Sequence, residues 1–459
     1  MSNSSPYMEY LSGEVDQIEK QFKLAQGENS KGREPISTGL ASMDLILGGG
    51  LTPGAWNTFF GLEQSAKSTL AMQVLINSLR YPIPIRALFD FEGSFDPIYF
   101  GSMVKKCGIP LSVSQIFGQK GDKGEWIHPP RIRYYPSDTG EKFFDYLAKL
   151  ERILPDKLYS NGSWWYVYEH TKENRKKLAE MEAAYNKGLF KRYNQFWVPA
   201  PNGAPQALLV TDSYPAMLPE RHDVDDPNAA LAVQARMFSE NVPRVKGKMR
   251  NKRICIMGIN QLRERPMTRY GSPFYEPCGT ALKFYSDLRI RMTPRAVPSG
   301  DSDEEESVVM EGFDKYRYIH TFSFKNKFFV ANQEAWMRIW TQDPSGESFG
   351  FDPVYDAWTF LSLTDMIEGS KRKFSIVGHP QFDPSATLNW LAFKQLIVGS
   401  KPDKIEMMKE LEMKPFDLYR SLFKLLKPTN DGIRSPVYQK YFSGVDEAEE
   451  EEPEELDED

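Results

Sequence analysis

From Pro35 to Trp340 the chain alternates short runs rich in β-branched and aromatic residues with stretches of helical periodicity, and this alternation narrows the fold more than any other feature. Strands separated by helices build a largely parallel sheet covered on both faces, with ligands held at the carboxyl ends of the strands. The predicted strands are Trp56–Phe60, Ala87–Phe91, Ile132–Tyr135, Ala207–Thr211, Ile254–Ile259, Leu288–Met292, Ile319–Phe324 and Trp336–Trp340. The fold class that follows is α/β.

The loop after the first strand carries the clearest chemistry. Gly61-Leu62-Glu63-Gln64-Ser65-Ala66-Lys67-Ser68-Thr69 leaves Trp56–Phe60 and opens a helix predicted over Thr69–Leu79. In a Walker A loop, exposed backbone N–H groups at a helix N-terminus wrap phosphates, a lysine reaches the terminal ones and a hydroxyl holds Mg²⁺. Lys67 and Ser68 fill the last two roles. Ala66 stands where the pattern has its second glycine; if that residue needs a positive φ, its methyl costs ~1–2 kcal/mol. The strand Leu208–Thr211 ends in Asp212-Ser213, and a carboxylate there is set to bind Mg²⁺ through water. A third strand end, Phe89-Asp90-Phe91-Glu92-Gly93, offers Glu92 either as a general base facing a water in line with the terminal phosphate or as a solvated loop acid.

Charge is unevenly spread. The whole chain of 459 residues carries −6, but Asp446–Asp459 holds eleven acids and no base, which leaves the remainder at +5. Such a tail cannot bury apolar surface and is expected to be disordered, either as a solubilising end or as a DNA mimic competing for basic surface. Three cysteines, with no CxxC pair, argue against a disulfide framework or zinc site. None of the five histidines stands at i, i+4 spacing to another, which excludes an HExxH metalloenzyme. The polar start Met1–Tyr10 and the lack of any run near ~20 apolar residues predict a cytoplasmic protein without a membrane partner.

Four regions organise the chain: residues 1–34, an N-terminal helix over Tyr7–Gln26 with a linker; 35–342, the strand–helix core; 343–444, a smaller α/β C-terminal domain; and 445–459, the acidic tail. The helix cannot fold alone and needs a partner surface. Within the core, 155–205 is an insertion in which aromatic clusters (Trp164, Trp165, Tyr166; Phe190, Tyr193, Phe196, Trp197) flank a charged helix, Lys172–Lys187. Basic residues among aromatics suit nucleic-acid stacking; a hairpin-like lid with its aromatics buried against the body is the plainer alternative.

The order and register of several segments resemble bacterial RecA. These are Ile36-Ser37-Thr38-Gly39, Leu45–Gly50, the Gly61–Thr69 loop, Phe91–Tyr99, Asp212-Ser213, Ile259-Asn260-Gln261, Ala281-Leu282-Lys283-Phe284-Tyr285 and Lys325-Asn326-Lys327. The resemblance implies a RecA-like P-loop ATPase core using ATP and Mg²⁺, forming a head-to-tail helical filament on single-stranded DNA and pairing it with homologous duplex. A single-strand-binding protein or a loader is the further partner class implied. Glu92 then resembles the hydrolytic base, Asp96 and Tyr99 the adenine contacts, and Gln261 the γ-phosphate sensor. Lys325 and Lys327 resemble the pair that reaches the ATP of a neighbouring subunit, with Lys283 and Phe284 at the same contact. The N-terminal helix resembles the segment that docks on the next subunit.

For DNA the resemblance implicates the long loop Leu262–Thr280, with Arg263, Arg265 and Arg269 for phosphates and backbone groups at Cys278, Gly279 and Thr280, together with Arg236 and Ser239 on a preceding helix. The other expected DNA loop, Pro219–Asn228, is short and acidic, which sets its DNA role apart from the family pattern. The C-terminal domain resembles that of RecA in Trp358–Gly369 and Leu388–Gly399, and the tail then reads as autoinhibitory. The insertion has no counterpart, and with the altered P-loop it points to a bacteriophage-encoded member acting in the host cytoplasm. Two other classes share the core: hexameric helicases, which normally carry an arginine finger and lack the paired lysines, and an ATP-gated DNA coat whose turnover Ala66 has spoiled.

Overall fold

The computed structural model describes residues 34–137, 139–185, 190–192, 195–220, 227–264, 274–295, 316–340, 350–398, 417–426 and 437. The expected N-terminal helix, the acidic tail, Arg265, Arg269 and most of the loop Pro219–Asn228 lie outside them.

Nine strands form the central sheet: β1 (Trp56–Gly61), β2 (Ile85–Asp90), β3 (Arg133–Pro136), β4 (Ala207–Asp212), β5 (Ile254–Gln261), β6 (Leu288–Arg295), β7 (Tyr316–Asn326), β8 (Glu334–Trp340) and β9 (Gly350–Phe351). Their order across the sheet is β9-β8-β7-β6-β1-β5-β4-β2-β3. The six from β6 to β3 run parallel, and β7, β8 and β9 extend the sheet antiparallel. Eight of these strands are legible as apolar runs. The short β9 is not, because two residues carry no periodicity.

Helices cover both faces, as a parallel sheet requires. On one side α1 (Ala41–Leu47), α2 (Lys67–Ser78) and α3 (Pro97–Lys106) bury Met43, Leu70, Val74 and Phe100 against Phe59, Ile290 and Met292. On the other, α4 (Gly140–Ile153) and α5 (Pro227–Lys252) bury Phe143, Leu147, Phe238 and Val242 against Trp56, Leu209 and Ile256. Spacings of three and four residues put each set on one helical stripe. The sheet itself leaves little slack. A Cβ on Gly258 would lie 1.8 Å from the Tyr214 hydroxyl, which accepts a 2.7 Å hydrogen bond from Trp56 Nε1, so only glycine fits there.

Further along the chain, α6 (Thr280–Tyr285) follows β5 and α7 (Pro353–Leu363) follows β9. Helix α7 packs on α1 through buried polar groups. Asp356 accepts from Ala41 N (2.6 Å), Ser42 N (3.2 Å), the Ser42 hydroxyl and Tyr419 Oη (2.7 Å), while Asp44 accepts from Thr38 N (2.8 Å) and Oγ1 (2.6 Å). Burial raises both carboxyls, Asp44 to about 7.

Pro155–Gly203 belongs to a compact unit separate from the one built by Glu34–Leu154 and Ala204–Asp459. Strands Asp156–Ser160, Ser163–Glu169, Gln195–Ala200 and Phe190–Arg192, in that order, make a four-stranded antiparallel sheet, and helix Lys172–Tyr185 lies in one connection. Of the aromatics expected at the ends of a charged helix, Trp164, Trp165, Tyr166, Phe190, Phe196 and Trp197 are strand residues, and Tyr193 lies outside the described residues. Tyr159 meets Trp164 at 5.2 Å and Trp165 meets Trp197 at 6.3 Å between ring centroids. Among the described residues no helix is long and apolar enough to cross a membrane.

Candidate functional site

The carboxyl edge of the parallel strands gathers most of the predicted residues. β1 ends at Gly61, whose tight fit is steric: a Cβ there would lie 2.0 Å from the Met292 carbonyl oxygen on β6. The loop then turns through Gln64 (φ 59°) and Ala66 (φ 62°), so Ala66 does occupy the left-handed region the missing glycine would favour. From there α2 begins at Lys67. The Lys67 ammonium donates to the carbonyls of Gly61 (3.1 Å) and Leu62 (2.5 Å) and to Ser65 Oγ (2.9 Å). Burial lowers its pKa to about 8, against the pull of Asp212, Glu92 and Glu63.

Asp212 ends β4, level with Asp90 at the end of β2. Burial raises the Asp212 carboxyl to about 7; Ser68, which hydrogen-bonds it, acts in the opposite sense, and Glu92 and Asp90 push it higher. Its Oδ1 is buried without a hydrogen-bond partner. A buried carboxylate oxygen lacking a protein donor, next to a serine hydroxyl, is the kind of oxygen set a hard divalent cation takes. Asp90 instead organises its own turn, accepting from Gly93 N (2.8 Å), Phe95 N (3.1 Å) and Tyr134 Oη (3.0 Å).

Glu92 Oε1 accepts from Gln261 Nε2 at 2.7 Å and from the Ser213 hydroxyl. Gln261 ends β5 directly beside Gly61 on β1, and the next amide, Leu262 N, donates to Gly61 O at 2.9 Å. The strand tips thus bring residues distant in sequence into one group. Asp96 caps α3 by accepting from Ile98 N (2.7 Å), and Tyr99 Oη lies 3.0 Å from Thr69 Oγ1 at the start of α2. Glu63 and Gln64 are exposed on the loop.

Other predicted residues lie elsewhere. Lys325 on β7 pairs in register with Arg289, and Arg289 with Thr58, at the opening end of β1. Gly61 is three residues further on, or ~10 Å along the strand. Lys325 Nζ donates to the carbonyls of Lys283 (3.0 Å) and Phe284 (2.8 Å) at the end of α6, and the Phe284 ring is 72% exposed. Lys327 stands 3.6 Å from Asp287 Oδ1. Neither lysine joins the P-loop group within one chain.

Arg236 and Ser239 lie exposed on α5, Arg236 paired with Glu240 at 2.7 Å. The long loop after Gln261 begins as a hairpin, Arg263–Glu264 against Phe274–Tyr275. It returns through Cys278 (φ 71°) and Gly279 (φ 76°) to Thr280, the first residue of α6. The Cys278 side chain is buried, and burial raises its thiol pKa, so only its backbone is placed for contacts.

Two site neighbours carry little or no mark in the sequence. Ser213 is visible only as the residue after a strand-end acid. Arg317, whose Nη1 donates to Gln64 O at 3.2 Å, comes from β7, 253 residues away, with no local signal to mark it.

A parallel sheet whose first strand runs through a glycine-opened loop into a helix, with a buried carboxylate ending a nearby strand, defines an α/β fold of the P-loop class. A protein-family profile for the RecA N-terminal domain matches residues 202–310. The RecA protein of Borrelia turicatae is 26% identical over 297 residues, covering 63% of this chain and 62% of its own length. That of Borreliella afzelii is 27% identical over 298 residues, with coverage of 63% and 62%. A crystal structure of the RadB recombinase aligns with a TM-score of 0.37 at 18% identity, over 66% of this chain and 96% of that one. The chain spans about 62% of the length of these two curated relatives. Over the matched stretches the chain is similar to RecA.

Proposed function

We propose that this chain is a DNA-dependent ATPase and homologous recombinase that assembles head to tail as a helical filament on single-stranded DNA and pairs it with a homologous duplex. One observation carries the reading. Lys67, Ser68, Asp212, Glu92 and Gln261 converge at the carboxyl edge of the sheet, whereas Lys325 and Lys327 stand at its other end. Two lysines so far from their own P-loop can complete a phosphate site only on another copy, and a contact between unlike surfaces propagates a chain of subunits.

In this reading the loop amides and Lys67 hold the ATP phosphates, and Asp96 and Tyr99 contact the adenine. Ser68 and Asp212 would hold Mg²⁺, which when bound offsets phosphate charge. Glu92 accepts the proton of the attacking water. Gln261, bonded to Glu92 and followed at once by the DNA hairpin, ties the state of the γ-phosphate to the order of that loop. Lys325 and Lys327 stabilise charge building on the neighbour's phosphates, with Lys283 and Phe284 at the same seam. Arg263, Arg265 and Arg269, the backbone at Cys278, Gly279 and Thr280, and Arg236 with Ser239 contact the strand. Residues 1–34 dock on the next subunit, and the acidic tail 445–459 competes with DNA for basic surface.

A second reading, an ATP-gated DNA coat without turnover, is favoured by the strained Ala66. Phosphate release measured with and without single-stranded DNA, beside negative-stain microscopy with a slowly hydrolysed ATP analogue, separates these. DNA-stimulated turnover with striated helices is expected. ATP binding with no phosphate release would favour the coat, and discrete rings would favour a hexameric helicase.

A further inference from the structure

The far end of β1 carries a charge arrangement that the proposed ATP chemistry leaves unexplained. Asp287, at the turn from α6 into β6, is nine-tenths buried and is built into the sheet on both sides: its N–H donates to Trp56 O (2.8 Å), and its Oδ2 accepts from Trp56 N (3.0 Å). Two ammonium groups share this one carboxylate. Lys246, from α5 and largely buried, bonds Oδ2; Lys327, half exposed, stands 3.6 Å from Oδ1, while its backbone N–H donates to Asp287 O at 3.0 Å. Lys325 lies close by, and Arg289 beside it is bonded to Glu276, so three ammonium groups crowd around Asp287.

With more cations than acid, the two lysines compete. A carboxylate already engaged by Lys246 and the Trp56 amide has little left to draw in Lys327, whereas one freed from Lys246 would turn its full charge on the remaining ammonium. We infer that Lys246 is a positioning residue for Lys327: by occupying Asp287 it leaves the Lys327 ammonium outward-facing and available to an anionic oxygen on the adjoining copy. This inference rests on the intersubunit reading of Lys327 given above.

The test is DNA-stimulated ATP hydrolysis by the full chain at saturating Mg²⁺, in wild type, Lys246→Met, Lys246→Gln, Lys246→Arg and Lys327→Met. Lys246→Met and Lys246→Gln should lower kcat about fivefold with the KM for ATP unchanged, and Lys246→Arg, which keeps the charge, should retain wild-type kcat. Wild-type kcat in Lys246→Met or Lys246→Gln, with Lys327→Met inactive, would overturn the inference and leave the intersubunit reading standing. Wild-type turnover in Lys327→Met would overturn that reading itself. If Lys246→Met fails to fold, Lys246→Gln decides in its place.

Discussion

Replacing Glu92 by glutamine isolates one chemical step, because the geometry around it survives the change. Glu92 Oε1 accepts from Gln261 Nε2 at 2.7 Å and from the Ser213 hydroxyl, and a glutamine offers an acceptor oxygen of the same size at the same place. The strand tip beneath is held by backbone, Phe91 N to Asp212 O at 2.7 Å, and is untouched. What is lost is the capacity to take a proton. A positioned base contributes about 10²- to 10⁴-fold, so DNA-stimulated turnover should fall by that factor, ~3–5 kcal/mol in the barrier. ATP affinity should stay within about twofold, since Lys67 and the loop amides do not depend on Glu92, and the protein should remain on DNA after ATP is added. Single-turnover phosphate release, binding of a fluorescent ATP analogue and a DNA-dissociation assay measure the three quantities. A drop in turnover below about tenfold, or a parallel collapse of ATP binding, would show that Glu92 is not the base.

Three further outcomes are expected. Lys67→Ala should abolish nucleotide binding, because the ammonium bonds Gly61 O, Leu62 O and Ser65 Oγ at the heart of the loop; retained affinity in equilibrium titration would remove the P-loop assignment. Ala66→Gly should relieve a left-handed alanine worth ~1–2 kcal/mol while adding ~0.4–1 kcal/mol of chain entropy to the unfolded state, a net effect between zero and ~1.5 kcal/mol of stabilisation; a lowered midpoint in denaturant would contradict it. Asp212, raised by burial to about 7 from an ordinary 3.8, binds its proton more tightly folded than unfolded, so its contribution to stability is full at low pH and is lost as pH rises toward 7. Mg²⁺ needs the ionised form, so the thermal shift it produces should grow as pH rises through about 7 and level off about one pH unit above, and Asp212→Asn should erase that slope; a pH-independent shift would count against Asp212 as the metal ligand.

Much of this architecture can be read along the chain. Strand runs such as Leu208–Thr211 are nearly uninterrupted apolar segments, and the sheet buries all six residues of β1 and of β4. The departure at Ala66 is visible as a missing glycine, and the backbone there is left-handed. The insertion is less legible. Its aromatics carry strand propensity, but the pairing of Ser163–Glu169 with Gln195–Ala200 bridges a helix, and no local pattern announces a partner that far away.

The difference has a physical cause. Backbone dihedrals, apolar periodicity and the reach of a loop into a helix depend on neighbours within a few residues, so the P-loop and the acid at the end of β4 are recognisable in the amino-acid sequence alone, whereas the lysine pair stands out only through the resemblance to RecA. Whether groups meet depends on strand order and register, which emerge only when the whole sheet closes on its core. Gln261 reaches Glu92 across 169 residues, Arg317 reaches Gln64 across 253, and Lys246 shares Asp287 with Lys327 because α5, β6 and β7 converge at one end of the sheet. Long-range packing also raises the Asp212 carboxyl, since burial is a property of the assembled core and not of the segment that carries the charge.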